Sequence, residues 1–317
     1  MKSYCYEGMG IKMQNDRLLE IFSPQYIRRV NEFEKFNNRL AYYTSIDIAE
    51  KILGNCELWM RNAGDMNDYR EVKYGEKILL DILYGNMKKD VVKALEENTN
   101  LDINEIETIF YRFNNEMISW IYNTYITCFS EMEMGDNDGR LSMWRGYGRD
   151  AGVALVFDVR KMQNAIGEEK IKLSPVEYYT ECKVEKRICE IIDNIKNSGG
   201  ILKKSSTESI LSSILNALRY AVVSIKHPGF EEEKEWRLVA HANDLNLDVE
   251  KINGVIQPIY KLKICNCALA EGLEKVIMAP STPMVTWKAF IEILCEKLGF
   301  SKEEANNKVF ISSIPYR

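Results

Sequence analysis

Apolar positions along the chain switch between two periods. Over 102–121 they fall at helical spacing, with Ile106, Phe110, Phe113, Met117, Trp120 and Ile121 on one stripe. Asp102 and Glu105 fit a capping box at its start. A second stripe, Ile210, Leu211, Ile214, Leu215, Leu218, Val222 and Ile225, predicts a helix over 207–226, with Ser205 and Glu208 as its capping pair. Ser45 is placed to cap a helix over 46–53 that stops at Gly54. Thr282-Pro283 opens another that Gly299 closes after Leu298.

Elsewhere the period is two. Val153, Leu155 and Phe157 alternate with Ala154 and Val156, which predicts a strand over 151–158. Further strands are predicted over 40–44, 56–60, 123–130, 233–240, 256–264, 274–278 and 309–314. Residues 141–147 read as a short helix and 196–206 as a surface loop. Strands and helices do not alternate as in a doubly wound sheet, and neither G-x-G-x-x-G nor G-x-x-x-x-G-K-[ST] occurs. The expectation is an N-terminal extension, 1–38, and then one α+β domain over 39–317 with a helical insertion near 70–121.

Composition narrows this little. With 317 residues, 46% hydrophobic and 28% charged, the chain can bury a sizeable core. A net charge of -5 argues against a broadly basic nucleic-acid surface. No signal peptide or apolar run of membrane-spanning length stands out, so a cytoplasmic protein without membrane contact is expected. The 8 cysteines include no C-x-x-C pair and are expected to be reduced, with Cys265 and Cys267 as buried thiols. Only 2 histidines are present, and no metal is expected.

The candidate chemistry lies in 226–240, KHPGFEEEKEWRLVA. On a strand, Glu233, Glu235, Arg237 and Val239 share one side, and Trp236, Leu238 and Ala240 the other. If the aromatic side meets the core, Glu235 and Arg237 face an opposite layer or a cleft, where a charge needs a partner. Trp144 and Tyr147 share a helix face, and with Ser142 and Arg145 they form either a ring platform with a phosphate-binding cation or ordinary core packing. Asn67-Asp68 reads as loop capping or as site lining. Tyr42 and Tyr43 point to opposite faces of their strand, so that one of them at most meets a ligand.

YYTSIDIAEKILGNCELWMRNAGDMND, CFSE, LSMWRGYG, GVALVFD, KHPGFEEEKEWRLV and ISSIPYR, in this order, resemble the bacterial family known as domain of unknown function 2971. More distantly, the Tyr-Tyr-Thr-Ser start followed by helix, strand and loop resembles the ADP-ribosyltransferase folds. That resemblance implies a split mixed β-sheet binding NAD as substrate, with no resident metal. Tyr42 stands at the first-strand position, where that pattern has His or Arg; Ser130 is the middle-strand residue and Glu235 the late carboxylate. Glu235, Arg237 and Tyr42 are then the catalytic candidates, and Tyr43, Thr44, Asn67, Asp68, Ser130, Ser142, Trp144, Arg145 and Tyr147 the candidates for holding the nucleotide. The implied activity is ADP-ribosyl transfer to a protein or nucleic-acid acceptor, or NAD glycohydrolysis, chemistry that would suit a toxin or phage-defence effector. Two alternatives stand beside it. One is an inactive module that binds a nucleotide or a partner. The other is a metal-dependent nuclease built on Glu232-Glu-Lys234 and the Asp136, Asp138 loop.

Overall fold

A computed structural model describes residues 13–64, 69–85, 87–148, 152–162, 171–242, 246–252, 254–280 and 282–315. Among them run twelve strands. These are β1 (Arg39–Ser45), β2 (Glu57–Asn62), β3 (Thr124–Glu131), β4 (Gly152–Asp158), β5 (Ile171–Pro175), β6 (Glu177–Tyr178), β7 (Ile225–Lys226), β8 (Glu235–His241), β9 (Asp248–Ile252), β10 (Val255–Lys263), β11 (Leu273–Met278) and β12 (Val309–Ile311). Ten form one mixed sheet, parallel only between β11 and β12; β6 and β7 pair separately. The architecture is mixed α+β.

β3 is the branch point of the sheet. One of its edges is taken by β8 over Thr124–Ser130. The other is shared, with β1 at the Ser130–Glu131 end and β2 at the Tyr125–Ile126 end. β1 and β2 therefore diverge, and β4, β11 and β12 continue from one while β10 and β9 continue from the other. β5 adds to the far edge of β8.

Strand alternation sends the two faces to different cores. One face, with Leu40, Tyr125, Phe129, Trp236, Leu238 and Ala240, packs against the helices Pro24–Phe36, Ile46–Asn55 and Met284–Leu298. The other face carries Ile126 and Val239 into a cluster with the helices Tyr69–Tyr84, Ile103–Tyr122, Glu181–Asn197 and Thr207–Ser224. Helix Ile103–Tyr122 begins with the expected capping box, in which the Asp102 carboxylate accepts from Glu105 N, and all six stripe residues are buried. Helix Thr207–Ser224 is capped by Ser206, one residue beyond the expected Ser205, and its last turn gives way to β7.

Two other local expectations change. Residues Pro228–Glu233 form a 3-10 helix that takes in Glu233, the expected first residue of the strand over 233–240, because Pro228 fixes the first helical φ and His227 Nδ1 accepts from Gly229 N at 3.0 Å. Lys234, in the left-handed region at φ 43, turns the chain into β8. The stretch read as a loop over 196–206 instead completes helix Glu181–Asn197 and adds the turn Gly199–Leu202.

Candidate functional site

The spacing of Glu235 and Arg237 is explained by what lies over their strand. Both side chains leave β8 toward the helical layer, where they are 5% and 2% exposed. Arg237 donates from Nε to Glu235 Oε1 at 2.7 Å and from a terminal nitrogen to Glu235 Oε2 at 3.2 Å. Its other terminal nitrogen donates to the Val223 carbonyl at 2.6 Å. That carbonyl belongs to the last turn of helix Thr207–Ser224, where carbonyls lack an intrahelical partner and the helix dipole favours a cation. One guanidinium thus ends a helix and fixes a carboxylate.

Lys226, on β7 immediately after that helix, is fully buried. Its ammonium donates to Glu235 Oε2 at 3.2 Å and to Glu233 Oε2 at 2.7 Å, and lies 4.6 Å from the centre of the Phe230 ring. The Glu235 backbone N–H donates to the Tyr178 hydroxyl at 2.8 Å. Burial alone would raise the Glu235 carboxyl; the charges of Arg237 and Lys226 outweigh it and hold the group at about 2. Burial raises the Tyr178 hydroxyl well above the ordinary phenol range.

Ser130 faces Glu235 in register across β3 and β8. Its hydroxyl donates to the Glu233 carbonyl at 2.6 Å and accepts from the Arg140 guanidinium. Ala41 faces Ser130 across β1 and β3, so Ala41 and Tyr43 share the face that carries Ser130 and Glu235. Tyr43 there accepts from Arg140 N at 3.1 Å and meets the Trp144 ring edge-on, with centroids 4.9 Å apart. Gly139, at φ 72, closes this contact: a Cβ in its place would stand 2.7 Å from the Tyr43 hydroxyl.

Tyr42 and Thr44 lie on the other face. The Tyr42 ring packs against Phe129, with centroids 5.6 Å apart, and burial raises its hydroxyl although Thr127 and Thr44 bond it. Tyr42 and Glu235 are therefore on opposite sides of the sheet. The register through β3 decides this, since one residue of slip would have exchanged Tyr42 and Tyr43.

In the segment Ser142 to Gly148 the residues separate. Trp144 is fully buried and donates from Nε1 to the Asp138 carbonyl at 2.8 Å, a core role. The chain then runs in one π-helical turn, Trp144–Gly148, which leaves Arg145 and Tyr147 exposed. Ser142, half-buried, keeps a hydroxyl with no hydrogen-bond partner among the described residues. Asn67 and Asp68 lie outside the described residues. Sequence reasoning passed over Lys226, Arg140 and Tyr178. Lys226 had one signal, a lone cation closing the apolar run Ala221-Val-Val-Ser-Ile.

The cysteine expectation is corrected. Cys265 and Cys267 are exposed, with sulfurs 2.9 Å apart, because they sit on the surface turn that opens helix Asn266–Gly272. Among the described residues no three His, Cys, Asp or Glu side chains stand together as a metal site, and no helix is long and apolar enough to cross a membrane.

The fold and its buried ion pair define a mixed α+β protein whose sheet is bolted to a helical layer. Residues 143–238, which include the Trp144 turn and most of the bolt, match the family described as protein of unknown function (DUF2971). No curated protein and no solved structure matches the chain.

Proposed function

We propose that the chain is a binding module for a nucleotide or a protein partner, with Glu235, Arg237 and Lys226 acting as a structural brace. The observation that carries this reading is the saturation of Glu235. Both carboxylate oxygens are bonded to buried cations under a helix, whereas a catalytic carboxylate must come within about 3 Å of a reacting atom. Tyr42, its intended partner on NAD, stands on the other face of the sheet. A nucleotide would be met by the exposed Arg145 and Tyr147, a guanidinium for phosphate and a ring for the base.

A second reading, ADP-ribosyl transfer or NAD glycohydrolysis by a toxin or defence effector, draws on one observation: Ser130 and Glu235 are register partners on adjacent strands. It requires the helix Thr207–Ser224 to lift and free the carboxylate. The nuclease reading has less behind it, because Lys234 is paired with Glu133 at 3.4 Å and, among the described residues, neither Glu232 nor its neighbours join a cluster of three metal-ligating side chains.

Purified protein incubated with NAD decides between the first two. The expected result is binding without nicotinamide release, together with at least tenfold weaker binding and an unchanged melting temperature for the R145A/Y147A variant. Glu235→Gln should lower the melting temperature. Nicotinamide release that Glu235→Gln reduces by ~10²-fold or more at unchanged melting temperature would establish the enzyme instead.

A further inference from the structure

One strand away from the brace, the same sheet face meets the helical layer around a partly open cavity of about 200 Å³. Its wall is formed mainly by apolar side chains of the helices Tyr69–Tyr84, Glu181–Asn197 and Thr207–Ser224, Leu79, Ile188 and Leu218 among them. This exceeds the roughly 150 Å³ of a dry cavity that admits a benzene-sized guest. A chain of about eight carbons, or a substituted ring, is the matching size.

The polar part of the wall comes from β5. In register with β8, Lys172 faces Val239 and Ser174 faces Arg237, so both side chains point toward the helices. The Lys172 ammonium lies between two rings, 4.2 Å from the centre of Tyr26 and 4.1 Å from that of Tyr220. Cation–π contact of this kind holds the ammonium in place without neutralising it. No carboxylate of the described residues reaches it within ion-pair distance, and burial pulls its pKa down to about 8. Two other charged groups of the wall have partners of opposite sign nearby: Arg187 stands 3.0 Å from Glu190, and Glu177, whose carboxyl burial pushes up, has Oε1 3.8 Å from Arg29, beyond hydrogen-bond reach. Beside Lys172, the Ser174 and Ser224 hydroxyls bond each other at 3.0 Å, which leaves one proton of the pair to donate.

An apolar cavity with one unneutralised cation calls for a guest of opposite character at one end. We propose that this cavity is a binding site for an amphipathic monocarboxylate, whose anionic head pairs with Lys172 and whose apolar body, a medium-length acyl chain or aromatic ring, fills the space between the helices. The site shares no residue with the nucleotide surface at Arg145 and Tyr147 and stands or falls apart from it.

Titration calorimetry of the full chain at pH 7 with octanoate, 1-octanol and octylamine tests the assignment. Octanoate should bind at least tenfold more tightly than octanol, and octylamine more weakly than either. Lys172→Met should bind octanol as the wild type does and lose the octanoate advantage, while Lys172→Arg keeps it. Saturating octanoate should leave NAD affinity unchanged, which separates a failure here from a failure of the nucleotide reading. Equal affinity of the wild type for octanoate and octanol, no octanoate binding at millimolar concentration, or an undiminished preference in folded Lys172→Met would each overturn the proposal.

Discussion

Two cations enter the helical layer from adjacent strands, and they are treated in opposite ways. Arg237, on β8, meets a carboxylate at two points and a helix-terminal carbonyl at a third. Lys172, on β5, meets two aromatic rings and no carboxylate among the described residues. A buried charge that is fully bonded organises the structure around it, and a group that leaves it is left unpaired in turn. A buried charge that rings merely hold in place keeps its capacity to bond something else. The contrast separates architecture from recognition better than residue type does, since it is the Glu-Arg pair, the more enzyme-like in sequence, that is occupied.

The largest effect should come from breaking the occupied cation. Arg237→Met leaves Glu235 buried with only Lys226 and orphans the Val223 carbonyl, and should cost about 3–5 kcal/mol in denaturant melts. The double variant Glu235→Leu/Arg237→Met should lose less than the sum of its single changes by about 1–3 kcal/mol, because it leaves neither charge uncompensated and Lys226 keeps Glu233. Additive losses would mean that the pair is not coupled, and the contrast with Lys172 would fail.

Acid should produce a loss of similar order. The Glu235 carboxyl is depressed from its ordinary 4.5 to about 2, so its contribution is present above about pH 4.5 and disappears as pH falls through about 2. The difference in unfolding free energy between wild type and Glu235→Gln should shrink by about 3 kcal/mol over that window.

The smallest effect has the opposite sign. Lys172→Met removes a charge with no counterion among the described residues and should raise stability at pH 7 by ~1 kcal/mol, once the lost ring contacts offset part of the gain. The lysine is lowered from 10.5 to about 8, so the unfolded chain binds more protons between those values and wild-type stability from this group rises with pH there. The advantage of Lys172→Met should therefore fade between pH 8 and 10.5. A destabilised Lys172→Met at neutral pH would show that this cation too is structural.

The sequence carried the local half of this contrast. Alternation along β8 assigned Glu235 and Arg237 to one face and Trp236 and Leu238 to the other, and the Asp102 box and its stripe marked a helix correctly, because these patterns are set within a few residues. The branching of β3 was not legible. Whether Tyr42 or Tyr43 shares a face with Glu235 depends on two registers, Ala41 with Ser130 and Ser130 with Glu235, between segments far apart in the chain. Lys172 was missed for a similar reason. Its strand is five residues long, and what distinguishes the lysine is two tyrosines brought to it by the helices Pro24–Phe36 and Thr207–Ser224.

The branch at β3 also bears on how the chain is made. β3 ends at Glu131, and β8, which covers its whole free edge, begins at Glu235. A ribosome working at about 5–20 residues per second needs on the order of 5–20 s to cross that gap. Over that interval β1 and β2 are already available to β3, but β8 is not. The nascent chain therefore carries an unpaired strand edge, on a strand with Tyr125, Ile126 and Phe129, through that interval, and helix Ile103–Tyr122, complete before β3 itself, is the part able to form locally and cover the face that Ile126 presents.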